Sequence, residues 1–194
     1  MGLRSSSETW GAISRWLHWI SAALVIFGLT HGYWMANMLP RQQRLPHYWF
    51  HSLVLAYFAL LLLLRIGWRL SEQTPAQPPE SAGWEKASAH LGHLALYALM
   101  IAVTVTGYMN WSAFPARFDP ARAAQMDLWV LGAYKLPAIH DKADRAVFQF
   151  WEHSHTYLSW ALAALVVVHI LAALRHQFLK RNRVMRRMWS GGPG

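Results

Sequence analysis

Cysteine is absent from the 194 residues, which removes disulfides, thiolate metal sites, iron–sulfur clusters and thioether-linked haem together. Charge is scarce as well: 14% of residues are charged, against about 25% in an ordinary soluble domain. Acidic residues are the scarcer sign, 9 Asp and Glu against 18 Lys and Arg, for a net charge of +9. In a soluble chain that excess raises the question of nucleic acid. Here the basic residues sit mostly beside apolar segments, so topology and anionic lipid account for them and no nucleic-acid partner is expected. Also missing is a small-residue cleavage site after the polar residues 1–14, so the first apolar segment is expected to stay as a membrane helix.

What is abundant is apolar. Hydrophobic residues make up 55% of the chain, and they fall into runs long enough to cross a hydrocarbon layer about 30 Å thick. Trp16, Trp19, Trp34, Trp49, Trp68, Trp84, Trp111 and Trp151 stand close to the ends of those runs, at the level where amphipathic rings gather. The expected fold is all-α, an integral membrane four-helix bundle forming a single membrane domain over 1–194. Its helices are expected at about 15–38, 47–70, 85–111 and 149–178, the third closing near Gly107. Residues 39–46, with Pro40 and Pro46, and the polar, proline-rich 71–82 read as connectors. Residues 112–148 form a long loop whose one apolar patch is too short to span.

The fourth segment carries the most informative spacing. His155 and His169 are fourteen residues apart, a turn of about 1400° and a rise of about 21 Å along a helix. Both imidazoles therefore lie on one face, near opposite edges of the bilayer, where ionisable groups usually face a bundle interior. His153 fails the same test, about 160° from His169. In the first helix His18 and His31 stand about 140° apart and cannot both face one column. His31 therefore reads as a packing or loop-facing group.

Orientation follows from the basic residues. Arg4, Arg15, Arg65, Arg69, Lys86, Arg175, Lys180, Arg181, Arg183, Arg186 and Arg187 fall on the side of the termini; Arg41, Arg44, Arg117, Arg122, Lys135, Lys142 and Arg145 fall on the other. The denser set belongs in the cytoplasm by the positive-inside rule, so both termini are expected there. His18 and His169 then share the cytoplasmic edge, and His51 and His155 the outer one. Two histidines at one depth suit the two axial positions of a haem iron. The metal ligands are thus expected to be His18 with His169 at an inner haem and His51 with His155 at an outer one. His47, one turn before His51, competes for the outer site.

The remaining candidates are weaker. His176 follows His169 by seven residues, on nearly the same face and about 10 Å further toward the cytoplasm. It suits a haem propionate or a quinone headgroup, as do His90 and His93 at the same edge. Arg15 and Arg175 are candidates for propionate pairing. His140, in the long loop, reads as solvent-exposed.

These residues carry a resemblance. RWLHW around His18, His51 at the opening of the second helix, AHLGH over 89–93, and HSHTYLSWALAALVVVHILAALRHQF followed by NRVMRRM resemble the bacterial cytochrome b561 family of four-helix, di-haem membrane proteins. The resemblance covers essentially the whole chain. It implies two haem b groups at His18, His51, His155 and His169, ubiquinone as a partner at the cytoplasmic edge, and a multi-pass inner-membrane location. Gln177 stands where the family often has the second histidine of a pair.

The expected function is a transmembrane di-haem cytochrome carrying electrons between the periplasmic side and the quinone pool. The enzyme reading is a superoxide:ubiquinone oxidoreductase, in which the seven outer cations attract an anionic donor. The alternative is a non-catalytic electron-transfer subunit or carrier for a periplasmic redox protein. A haem-free transporter is disfavoured, because four helices without inverted repeats or broken segments give little to move.

Overall fold

In the computed structural model, residues 2–76, 82–182 and 184–190 are described. Arg183 and residues 77–81 of the proline-rich connector lie outside them. Four long helices dominate: α1 (Ala12–Asn37), α2 (Arg44–Ser71), α3 (Gly83–Ala113) and α4 (Arg145–Phe178), followed by a short α5 (Val184–Trp189). All four are long and apolar enough to cross a membrane. Each begins two to four residues before its expected start, and in α2, α3 and α4 the local chemistry at the start supports helix there.

At α2, Pro46 occupies the first turn, where its missing N–H leaves no bond unmade. Arg44 donates from Nε to the Leu39 carbonyl (2.8 Å), closing the connector behind Pro40. At α3 the Glu85 carboxylate reaches back to accept the Ala82 N–H (3.1 Å), one arm of a capping box. At α4 Asp144 accepts from the N–H groups of Ala146 (2.9 Å) and Val147 (3.2 Å), a side-chain N-cap. Arg175 and His176 lie in the last turn of α4, where cations offset the helix dipole.

The chain divides into two compact units. The termini unit comprises Met1–Ala23, Leu61–Ala98 and Ala163–Gly194, and the loop unit comprises Leu24–Leu60 and Leu99–Leu162. Each contains part of all four long helices.

Polar pairs tie the termini unit together. Glu72 accepts from Ser5 Oγ (2.7 Å) and from Ser14, whose hydroxyl also receives the Trp68 indole N–H (3.1 Å). Glu85, almost fully buried, holds Arg175 (3.0 Å) and Lys180 (2.5 Å). Trp19 donates to the Met188 carbonyl (3.1 Å) and stacks edge-on against Trp189, which docks α5.

In the loop unit the core is Trp111, Met126 and Leu128, with Tyr48, Trp49, Leu53 and Leu136 packed around it. Residues 112–148 are therefore folded rather than a slack loop. Two 3₁₀ turns (Pro115–Phe118 and Ala123–Met126) lead into a hairpin of β1 (Trp129–Val130) and β2 (Tyr134–Lys135). The hairpin pairs Trp129 with Lys135 and Val130 with Tyr134. The segment is bound to the helices by backbone carbonyls: Trp111 donates to Met126 (3.0 Å) and Trp49 to Asp127 (2.9 Å). Ser112 accepts the N–H groups of Ile139 (2.7 Å) and His140 (2.9 Å).

Elsewhere the outside is apolar and some of the inside is polar. Leu63, Leu64, Val167, Val168 and Leu171 are exposed, whereas Ser21, Thr106, Asn110 and Ser112 are buried. Ser21 and Thr106 return their hydroxyls to carbonyls of their own helices, which lets polar side chains sit between apolar helices without an unmade bond.

Candidate redox cofactor sites

In the termini unit the rings of His18 on α1 and His169 on α4 have centres 6.4 Å apart. In the loop unit His51 on α2 and His155 on α4 are 6.3 Å apart. A metal–imidazole nitrogen bond is about 2.0 Å, and a ring centre lies about 1.1 Å behind its nitrogen, so two rings sharing one metal from opposite sides would be about 6.2 Å apart. Both pairs meet that requirement. His93 and His169 stand closer at 5.5 Å, as do His31 and His51 at 5.7 Å.

The loop-unit pair borders an apolar cavity lined also by Leu55, Phe58, Val103 and Leu162. His155 Nδ1 donates to the Val103 carbonyl (3.0 Å). That bond fixes the ring proton on Nδ1 and leaves the Nε2 lone pair for a metal. Gly107 makes room for the ring: a Cβ there would lie 2.9 Å from His155 Cε1. Gly107 therefore does not close α3, which runs on to Ala113; it admits His155. Gly32 plays a milder version of the part against His51, at 3.2 Å.

His31, read as a packing or loop-facing group, packs here. Its ring stacks on His51 at 15°, with the two Nδ1 atoms 3.5 Å apart, and it touches His47 at 5.7 Å. On α1 His31 diverges from His18, and it meets its neighbours across to α2. His47 has its ring contacts with His31 and Trp34 on α1, while His51 faces His155.

In the termini unit Arg65 donates from Nη2 to His18 Nδ1 (3.0 Å). A guanidinium has only donors, so the neutral His18 ring then carries its proton on Nε2. A metal at Nε2 requires the proton on Nδ1 and Arg65 turned away, free to meet a carboxylate. Arg65 was legible only as a topology charge; its place opposite His18 depends on the packing of α2 against α1. Arg175 is already committed to Glu85. Arg15 lies half-buried near the start of α1, His90 is exposed on α3, and His93 lies against His169. His176 Nδ1 receives the Asn182 side-chain amide (2.8 Å). His140 is half-buried rather than solvent-exposed, with Nδ1 3.1 Å from Ser112 Oγ.

Among the described residues no three His, Asp or Glu side chains converge to hold a bare ion. Two imidazoles per site suit a metal whose other positions a macrocycle fills. Residues 9–191 match the prokaryotic cytochrome b561 family. The chain belongs to that family. A relative, cytochrome b561 homolog 2 of Escherichia coli (strain K12), is 28% identical over 196 residues, covering 97% of this chain and 95% of the relative. As a cytochrome b561 the chain is a membrane electron-transfer protein, and membership implies haem b. The four spans and the family fit a multi-pass inner-membrane protein.

Proposed function

We propose that this cytochrome b561 holds two haem b groups, one between His18 and His169 and one between His51 and His155, and carries electrons between the periplasmic side and ubiquinone. The 6.4 Å and 6.3 Å ring spacings carry this reading. Bound there, haem would be held by His18 with His169 and by His51 with His155, and would supply reversible one-electron chemistry. The chain's own residues determine what can reach it. With two imidazoles committed to each group, no position would be left for a substrate to bind it, so a donor would deliver its electron at the edge of the site.

The eleven-to-seven distribution of basic residues supports cytoplasmic termini, which puts His51 and His155 toward the periplasm. The donor read from the charge is a small anion, superoxide. Of the seven outer cations, Arg44 is bound to the Leu39 carbonyl, Arg117 lies 4.1 Å over the Trp111 ring, and Arg122 and Lys135 pair with Asp119 and Asp127. Arg41, Lys142 and Arg145 are exposed and are the residues left to steer an anion. At the other edge the exposed His90 and neighbouring His93 are the donors offered to a quinone carbonyl, with His176 held back by Asn182. Arg65 and Arg15 are the cations proposed for the propionates.

Charge reversal tests the steering. Arg41→Glu with Lys142→Glu should slow superoxide-driven haem reduction by about ten-fold at low ionic strength and flatten its salt dependence. The measurement is stopped-flow reduction at several salt concentrations, with and without a short-chain ubiquinone. Reduction indifferent to salt and to both substitutions removes superoxide steering from the account. No superoxide-dependent, quinone-coupled turnover in the unmodified protein moves it to the class of carriers for a partner redox protein.

A further inference from the structure

The β1–β2 hairpin lies in an unexpected place along α2. The Leu131 N–H at its tip donates to the Tyr57 hydroxyl (3.1 Å), and Tyr57 is thirteen residues beyond Arg44, where α2 begins. Thirteen residues of helix rise about 20 Å. The 28 residues of α2 measure about 42 Å, about 12 Å more than a hydrocarbon layer of about 30 Å. Even if all the excess projects on the loop side, the Tyr57 backbone lies about 8 Å inside the hydrocarbon boundary. Its side chain leans back toward the helix start, which brings the hydroxyl to the boundary. The hairpin therefore runs back along α2 to the level of the lipid headgroups.

The composition of the hairpin suits that level. Residues 128–134, LWVLGAY, contain no charge, and at the base Lys135 is neutralised by Asp127 at 2.7 Å. Val130 and Leu128 face inward, whereas Trp129, Leu131 and Tyr134 face out, 49%, 79% and 63% exposed. Leu131 and Gly132 both have positive φ, 54° and 65°, a turn that glycine adopts freely and leucine at a cost. A polar residue would suit an aqueous turn better. The Tyr57 hydroxyl gives the Leu131 N–H a partner, as a backbone group brought to the edge of hydrocarbon requires.

We propose that this hairpin is a lipid anchor, with Leu131 inserted among the acyl-chain ends and Trp129 and Tyr134 at the headgroups on the loop side of the membrane. The occupant is the bilayer because the exposed tip is continuous, through Tyr57, with the surface of a membrane-spanning helix. Interfacial elements of this kind bury their apolar residues about 5–10 Å into the headgroup and acyl boundary. The anchor holds the folded segment 112–148 against the membrane.

The absence of cysteine makes the test clean. Leu131→Cys carries a bimane label, and Ala143→Cys, exposed among Asp141, Lys142 and Asp144, is the aqueous control. Each haem-loaded protein is placed in phosphatidylethanolamine/phosphatidylglycerol vesicles and quenched separately by iodide and by bromine-labelled lipid. The expected result is an inversion: label at 131 is quenched by brominated lipid and shielded from iodide, and label at 143 behaves oppositely. Iodide quenching at 131 equal to that at 143 overturns the anchor. Shielding of 131 from both quenchers overturns it too and assigns the surface to contact with a second copy of the chain.

Discussion

His155→Ala is expected to purify with one of the two proposed haems, and His51→Ala to lose the same one. The rings stand 6.3 Å apart at one apolar cavity, so either substitution would remove half of the proposed ligand pair. His18→Ala and His169→Ala are expected to remove the other haem, from the termini unit. The combinations decide the pairing. His51→Ala with His155→Ala should lose no more haem than either alone, because both act on one site, whereas His155→Ala with His169→Ala should leave none; sites without shared partners add and a shared site does not. Haem-to-chain ratios by the pyridine haemochrome method read every variant. Loss of the loop-unit haem from His47→Ala with retention in His51→Ala would give the α2 ligand to His47.

Gly107→Ala is expected to damage the loop-unit haem while leaving all four proposed ligands in place. The new methyl would lie 2.9 Å from Cε1 and 3.2 Å from Nδ1 of His155, closer than a Cβ approaches a ring atom. The ring cannot simply swing aside, since Nδ1 is held by the Val103 carbonyl at 3.0 Å with Thr106 Oγ1 nearby at 3.4 Å. Gly32→Ala should be milder, because its nearest atom, His51 Cε1, is 3.2 Å away and needs to give only slightly. Gly67→Ala and Gly92→Ala meet nothing within 4 Å and are the controls. On helix propensity alone each control should be neutral or stabilising by about 0.5–1 kcal/mol. Haem content and the midpoint potential of the loop-unit haem are the readouts, with the termini-unit haem as internal reference. A Gly107→Ala protein matching Gly92→Ala in both would show that Gly107 does not position His155.

The four membrane helices were legible because runs of Leu, Val and Ala bounded by tryptophan and arginine have one solution in a bilayer. Their first residues were not, since Pro46, Glu85 and Asp144 start helix through bonds that apolarity does not register. The fourteen-residue spacing of His155 and His169 is a relation within a single helix, the kind of relation sequence reports directly. His31, Arg65 and Gly107 act between helices, and spacing within one chain segment does not report which neighbour a side chain meets. One signal was present: a glycine inside an apolar helix marks close approach, and Gly107 stands on α3 among β-branched residues where nothing local requires it. The fold of 112–148 was hidden for a similar reason. Its order comes from Trp49, Trp111 and Ser112 bonding to backbone carbonyls and N–H groups, which leaves no periodic trace.

The central claim is that one chain holds two haems, each between two histidines and neither bonded covalently. A dithionite-reduced spectrum of the purified protein, taken with a haem-to-chain ratio and repeated under carbon monoxide, tests it most directly. The account predicts two acid-acetone-extractable haems per chain, both low-spin and both indifferent to carbon monoxide. A ratio of one, haem that stays on the denatured chain, or a reduced spectrum that shifts under carbon monoxide would contradict it.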